Sequence, residues 1–330
     1  LIAAVVMAAA IQPASAQDEP PVPPLPIPHP DRVAPTLTEV AVEGSDGVGG
    51  PSGIEPVERL ELALVDENGN PFPPQEFTLT ATLTDGGAPI PAGVNWRIFG
   101  EEEGAPAALV ADVQGGTTQL TLDPGRYYLH ALYGWAMATT QFIVTPDNTA
   151  QTVVLNAGGL RLRGLVGEDR LLPSARLRFE VWGIDAATGE RVLITDSAHQ
   201  DEVLRLSAGR YHVVSFYGNT NAVVRADIDV DAGQLTELSL YHQAARVTLK
   251  LVDQRGGEAL TNTAWSILTP GGEILFDSIG AFPAVVLAAG DYIALARHNG
   301  LFYEGPFTVE TGRNRDIEVL ADNPVNIEAP

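Results

Sequence analysis

The sequence predicts an all-β protein: three tandem antiparallel Greek-key β-sandwich modules of immunoglobulin-like or transthyretin-like kind, behind a signal peptide and a proline-rich linker. Three observations carry this. Apolar residues alternate with period two over short runs, turn residues recur at the roughly 8–12-residue spacing of short strands, and one marker pattern returns three times along the chain.

The N-terminal elements come first. Leu1 to Ala16 is an apolar run closed by Ala14-Ser15-Ala16, the apolar region and small-x-small cleavage site of a secretory signal peptide. No initiator methionine or basic stretch stands ahead of it, so it reads as a signal entered partway. It is shorter than the ~20 apolar residues a membrane span requires, and Pro13 interrupts it. No transmembrane span is expected in the mature chain, which is read as periplasmic or secreted. Residues 17–57 form the linker. Eight prolines between Gln17 and Pro35 enforce polyproline II, and Thr36 to Pro56 is rich in Gly, Pro and acidic residues.

The modules follow at 58–157, 158–244 and 245–330. Leu120-x-Leu122-x-x-Gly125-x-Tyr127-x-Leu129-x-Ala131-x-x-Gly134 recurs as Leu204-x-Leu206-x-x-Gly209-x-Tyr211-x-Val213-x-Ser215-x-x-Gly218. It recurs again as Val285-x-Leu287-x-x-Gly290-x-Tyr292-x-Ala294-x-Ala296, closed by Asn299-Gly300. Upstream, Trp96, Phe179 and Trp265 take matching places. Downstream stand Phe142-x-Val144, Ile228-x-Val230 and Phe307-x-Val309. In the second copy strands are expected at Leu160 to Leu162, Leu177 to Val181, Val203 to Leu206, Tyr211 to Tyr217, Ala226 to Val230 and Leu235 to Leu240. The first module opens either at Glu58, with Leu60-x-Leu62-x-Leu64 as its first strand, or with Phe77 to Leu83, which leaves Glu58 to Pro71 as a separate hairpin arm.

This Leu-x-x-Gly-x-Tyr-x-Val-x-Ala-x-x-Gly pattern, with an upstream strand ending in a turn such as Leu251-Val252-Asp253-Gln254-Arg255-Gly256, resembles the tandem carboxypeptidase-regulatory-like or transthyretin-like modules of bacterial exported proteins. The resemblance covers residues 58–330 and implies the sandwich fold and a non-catalytic role.

Composition narrows the function. With 42 acidic against 19 basic residues the net charge is −23, which disfavours nucleic acid and anionic lipid, since both reward clustered Lys and Arg. The absence of cysteine excludes disulfides, thiolate metal sites and cysteine nucleophiles. No zinc-ligating histidine spacing, Gly-x-Ser-x-Gly elbow or phosphate-binding glycine loop is present, so no cofactor, metal or enzymatic activity is expected. Asp227-x-Asp229-x-Asp231 has the spacing of a calcium loop, but Ile228 and Val230 point inward, which turns the three carboxylates to solvent. Asp66-x-Asn68-x-Asn70 is more turn-like.

Gly125, Gly209 and Gly290 with Tyr127, Tyr211 and Tyr292 mark the core, as do Trp96, Phe179 and Trp265. The tyrosines are expected to pack inward with their hydroxyls on nearby backbone, fixing a strand-crossing corner. Lys250 is expected to point outward, because Val247, Leu249 and Leu251 take the inward places. The candidate binding residues are the loop-tip aromatics Trp135, Phe302 and Tyr303. The expected role is a non-enzymatic envelope scaffold or interaction protein, with an envelope protein or polysaccharide as partner. The alternative is a carbohydrate-binding protein using the tip aromatics.

Overall fold

The computed structural model describes residues 70–102, 105–185 and 188–325. The signal, the linker, the Leu60 to Val65 run and most of Asp66-x-Asn68-x-Asn70 lie outside the described residues.

Alternate side chains leave a strand on opposite faces, so a period-two run buries its apolar set and hydrates the rest. The first seven strands are β1 (Gln75–Thr82), β2 (Asn95–Glu102), β3 (Ala105–Gln114), β4 (Thr117–Leu122), β5 (Gly125–Tyr133), β6 (Ala136–Val144) and β7 (Ala150–Val154), of which β3 breaks the pattern by exposing both Leu109 and Val110. They form two facing sheets, in the order β4-β1-β7 and β3-β2-β5-β6. β7 runs parallel to β1, and the other pairings are antiparallel.

The same topology returns twice. The second module holds β8 (Ala157–Val166), β9 (Arg170–Leu171), β10 (Leu177–Ile184), β11 (Arg191–Ala198), β12 (Val203–Ser207), β13 (Gly209–Tyr217), β14 (Val223–Val230) and β15 (Leu235–His242). Its sheets are β12-β8-β15, with the short β9 on β8, and β11-β10-β13-β14. The third holds β16 (Ala244–Val252), β17 (Ala264–Leu268), β18 (Ile274–Ile279), β19 (Ala284–Ala288), β20 (Gly290–His298), β21 (Leu301–Val309) and β22 (Arg315–Leu320), as β19-β16-β22 and β18-β17-β20-β21. The protein is therefore all-β, with three tandem sandwiches. In the first of them β1 fills the opening-strand place, with Phe77, Leu79 and Ala81 fully buried.

β11 is not legible as a strand. It lies at a sheet edge, and two register shifts against β10 break its alternation.

Each sandwich has its own core, centred on Trp96, Phe179 or Trp265, all essentially solvent-free. A buried indole N–H needs an acceptor. Trp96 Nε1 donates to the Gly115 carbonyl at 2.8 Å and Trp265 Nε1 to that of Gly280 at 3.0 Å, while Phe179 has no such group. The three marker tyrosines make one repeated corner. Each hydroxyl donates to the carbonyl four residues upstream: Tyr127 to Asp123 at 2.7 Å, Tyr211 to Ser207 at 2.7 Å and Tyr292 to Ala288 at 3.0 Å.

Candidate functional site

The residues singled out from sequence do not converge. Trp135 stands at the β5–β6 turn and is 43% exposed. Phe302 is half-buried on the outer face of the third module. Tyr303 corrects an expectation: it is 7% exposed and belongs to the core with Tyr292 and Phe307, so it offers no ring to a ligand. The reason is strand parity. β21 already begins at Leu301, and Tyr303, Phe307 and Val309 share its inward face.

The acidic pattern on β14 is a solvated sheet face. Asp227 accepts from His212 Nδ1 at 2.7 Å, and Asp229 holds Arg210 through two bonds of 3.0 and 3.1 Å. That Arg210 bond keeps the Asp229 carboxyl below its ordinary pKa. Lys250 sits on the outer side of β16 and pairs with Glu318 of β22 at 2.8 Å. Among the described residues no group of three or more His, Asp or Glu side chains is placed to hold a metal ion. No helix among them is long and apolar enough to cross a membrane.

What the modules share instead is a joint, built twice from equivalent residues. The nine-residue strands β5 and β13 each end in an aromatic followed by a glycine with positive φ: Tyr133-Gly134 (φ 64°) and Tyr217-Gly218 (φ 76°). That left-handed residue turns the chain into the next strand. The turn presses on the strand paired antiparallel with the opening strand of the following sandwich, β12 or β19. A Cβ on Gly134 would lie 2.8 Å from Arg205 Cβ on β12, and a Cβ on Gly218 would lie 2.8 Å from Val286 Cβ on β19. Arg205 follows Leu204 as Val286 follows Val285, so the two contacts fall at the same place in the repeat.

Hydrogen bonds fix each contact. At the first joint Trp135 N–H donates to the Arg205 carbonyl at 2.8 Å, and the Arg205 guanidinium lies 4.6 Å over the Tyr133 ring. At the second, Thr220 Oγ1 donates to the Val286 carbonyl. Asn221 adds two bonds, accepting from Ala288 N–H at 3.0 Å and donating to the Tyr292 hydroxyl at 2.9 Å. The corner tyrosine of one module is thereby tied to the hairpin of another.

The opposite side of each joint repeats as well. Gly233 (φ 73°), in the turn before β15, approaches Thr84 of the first module. Gly312 (φ 72°), in the turn before β22, approaches Val166 and Arg170 of the second. Arg170 donates to the Gly312 carbonyl at 2.7 Å. A small apolar cluster of Val166, Leu172, Tyr217, Ala222, Ala244 and Val286 crosses the second joint.

Beside that cluster lies a buried polar pair. Ser215 Oγ is 2.8 Å from His242 Nε2, and the two residues are 0% and 1% exposed. Burial pushes the His242 imidazole down to about 4, the Ala222 backbone countering it only in part. The pair has a readable signal, since Ser215 takes the inward place of Ala131 and Ala296, and His242 continues the inward series Leu238, Leu240.

Two hollows flank β18. One of about 400 Å³ opens at the second joint between Arg176, Thr220, Arg246, Phe276 and Val286. The other, of about 500 Å³, lies on the outer sheet face of the third module against Ile279, Leu295, Arg297 and Phe302.

Comparison with known proteins gives one family. The model of the Rhizobiales growth-associated tandem repeat domain matches residues 246–321, which is the third sandwich from β16 through β22. Among curated proteins none matches the chain. Similar solved structures include the Bacillus anthracis TIE protein, at 13% identity over 75% of this chain and 50% of that one, with a TM-score of 0.24. The chain thus spans half the length of that protein. A streptococcal ancillary pilin is 10% identical over 75% of this chain and 99% of that one, with a TM-score of 0.27. A point mutant of the shaft pilin SpaA of Lactobacillus rhamnosus GG is 14% identical over 52% of this chain and 97% of that one, with a TM-score of 0.28.

Proposed function

We propose that this chain is a non-enzymatic scaffold of the cell envelope. It is an exported protein whose proline-rich segment spaces a row of sandwiches from its first contact, and whose outer faces meet envelope proteins. The observation that supports this is the joint used twice with equivalent residues. Tandem modules linked only by a flexible chain need no such contact, whereas a scaffold that transmits position does. The match of residues 246–321 to a tandem-repeat domain fits a chain built by repetition.

Small-angle scattering of the full chain, paired with photo-cross-linking in cells, tests this reading. Photoreactive residues at exposed positions such as Thr121 and Glu304 should give adducts with envelope proteins, and the scattering should be that of sandwiches held in fixed relation. Independently tumbling sandwiches with no envelope adduct would remove the proposal. A thermal shift induced by one polysaccharide would replace it with carbohydrate binding.

A further inference from the structure

The strands β5, β13 and β20 are each nine residues long, and each is followed by a residue in the left-handed region. In the first two modules that residue is glycine. In the third it is Asn299, with φ 51°. The register is unambiguous, because the residue stands seven places after the corner tyrosine in every copy: Tyr127 and Gly134, Tyr211 and Gly218, Tyr292 and Asn299.

The two glycines have two separate reasons to be glycine. One is the backbone, which asparagine also tolerates better than other residues do. The other is the neighbour, since even a Cβ would come within 2.8 Å of β12 or β19 in the following sandwich. Asn299 satisfies the first demand and violates the second. At the equivalent place it carries a Cβ and a carboxamide, where a Cβ alone on either glycine already falls 2.8 Å from the neighbouring strand. The chain beyond β22 points the same way. Asp322 stands where Asn156 and Gln243 lead into β8 and β16, yet Pro324 and Val325 turn back, and Val325 N–H donates to the Phe302 carbonyl beside the tip at 2.8 Å.

We propose that the residue after β5, β13 and β20 decides whether each module accepts a successor, glycine admitting it and Asn299 closing the third sandwich to this mode of docking. This goes beyond the scaffold reading, since it stands on the joints alone. The β20–β21 tip is a terminator, and neither a further sandwich nor a second copy of this chain seats on it as the second and third modules seat on the first and second.

The chain has no cysteine of its own, so reporter disulfides can be placed freely. In the full chain, Trp135→Cys with Arg205→Cys reports the first joint. Adding Gly134→Asn should slow closure of this disulfide about tenfold, the effect of crowding a packed contact. Gly300→Asn is the control for backbone strain, because Gly300 has φ 82° and no atom within 4 Å of its added Cβ; it should leave closure unchanged. The second arm extends the full chain after Asp322 with another copy of residues 244–325. The reporter pairs Gly300→Cys with Val286→Cys of the added copy. With Asn299 retained the disulfide should form slowly, and with Asn299→Gly about tenfold faster. Equal rates in either comparison, fast or slow, would overturn the proposal.

Discussion

Ser215 and His242 are bonded to each other at 2.8 Å in a place where the first module has only Ala131 and Leu155. The pair is closed from solvent, and burial holds the imidazole neutral down to about pH 4. An unfolded histidine takes its proton near 6.5. Between these values the unfolded chain binds a proton that the folded chain does not. Stability is therefore full above about pH 6.5 and is lost as the pH falls toward 4, by about 3 kcal/mol in total. Urea titrations at pH 7 and 4.5 should show this loss. The double variant Ser215→Ala with His242→Leu should show much less of it. An equal loss in both would assign the acid sensitivity to other groups.

The three tyrosine corners are not equivalent. Tyr211→Phe removes one hydroxyl bond, to Ser207, and should destabilise by about 1 kcal/mol. Tyr292→Phe removes a bond to Ala288 and also leaves Asn221 of the second module without its acceptor. It should destabilise more and loosen the second joint as well. Chemical denaturation of the two variants compares them, and equal losses would mean the Asn221 bond contributes little.

Asn221→Ala should act on the joint and spare the sandwiches. It deletes the acceptor of Ala288 N–H and the donor to Tyr292, with the loss of each bond typically worth about 1 kcal/mol. Limited proteolysis near Gln243 should accelerate while the far-ultraviolet spectrum stays native. A melted spectrum would show that the joint and the folds are one cooperative unit.

Trp135 and Tyr303 should respond in opposite ways to truncation. Tyr303→Ala empties a core position and should destabilise the third module by about 3–5 kcal/mol, as large buried aromatics do. Trp135→Ala removes a half-exposed ring and keeps the main-chain bond to Arg205, so it should change stability by less than about 1 kcal/mol. Comparable losses would place the indole inside the joint.

The three sandwiches, their tyrosine corners, the outward Asp227 and Asp229 and the outward Lys250 are all legible in the sequence, because each follows from period-two parity within one module. Tyr303 obeys the same parity, yet Leu301-Phe302-Tyr303 directly follows Asn299-Gly300 and reads as part of a turn, whereas β21 has already begun there. β11 is hidden because its bulges erase the alternation. The joints cannot be read locally. Gly134 and Arg205 lie far apart in sequence, and no local pattern says that the glycine is there for a neighbour as well as for its own φ.

One relation in the fold bears on force. In every module the first and last strands lie side by side and parallel: β1 with β7, β8 with β15, β16 with β22. Tension applied along the chain pulls such a pair past itself lengthwise, so its ladder bonds must shear together rather than open one at a time. The three last strands span five, eight and six residues, so the first sandwich should rupture at the lowest load and the second should outlast both neighbours when single molecules are stretched.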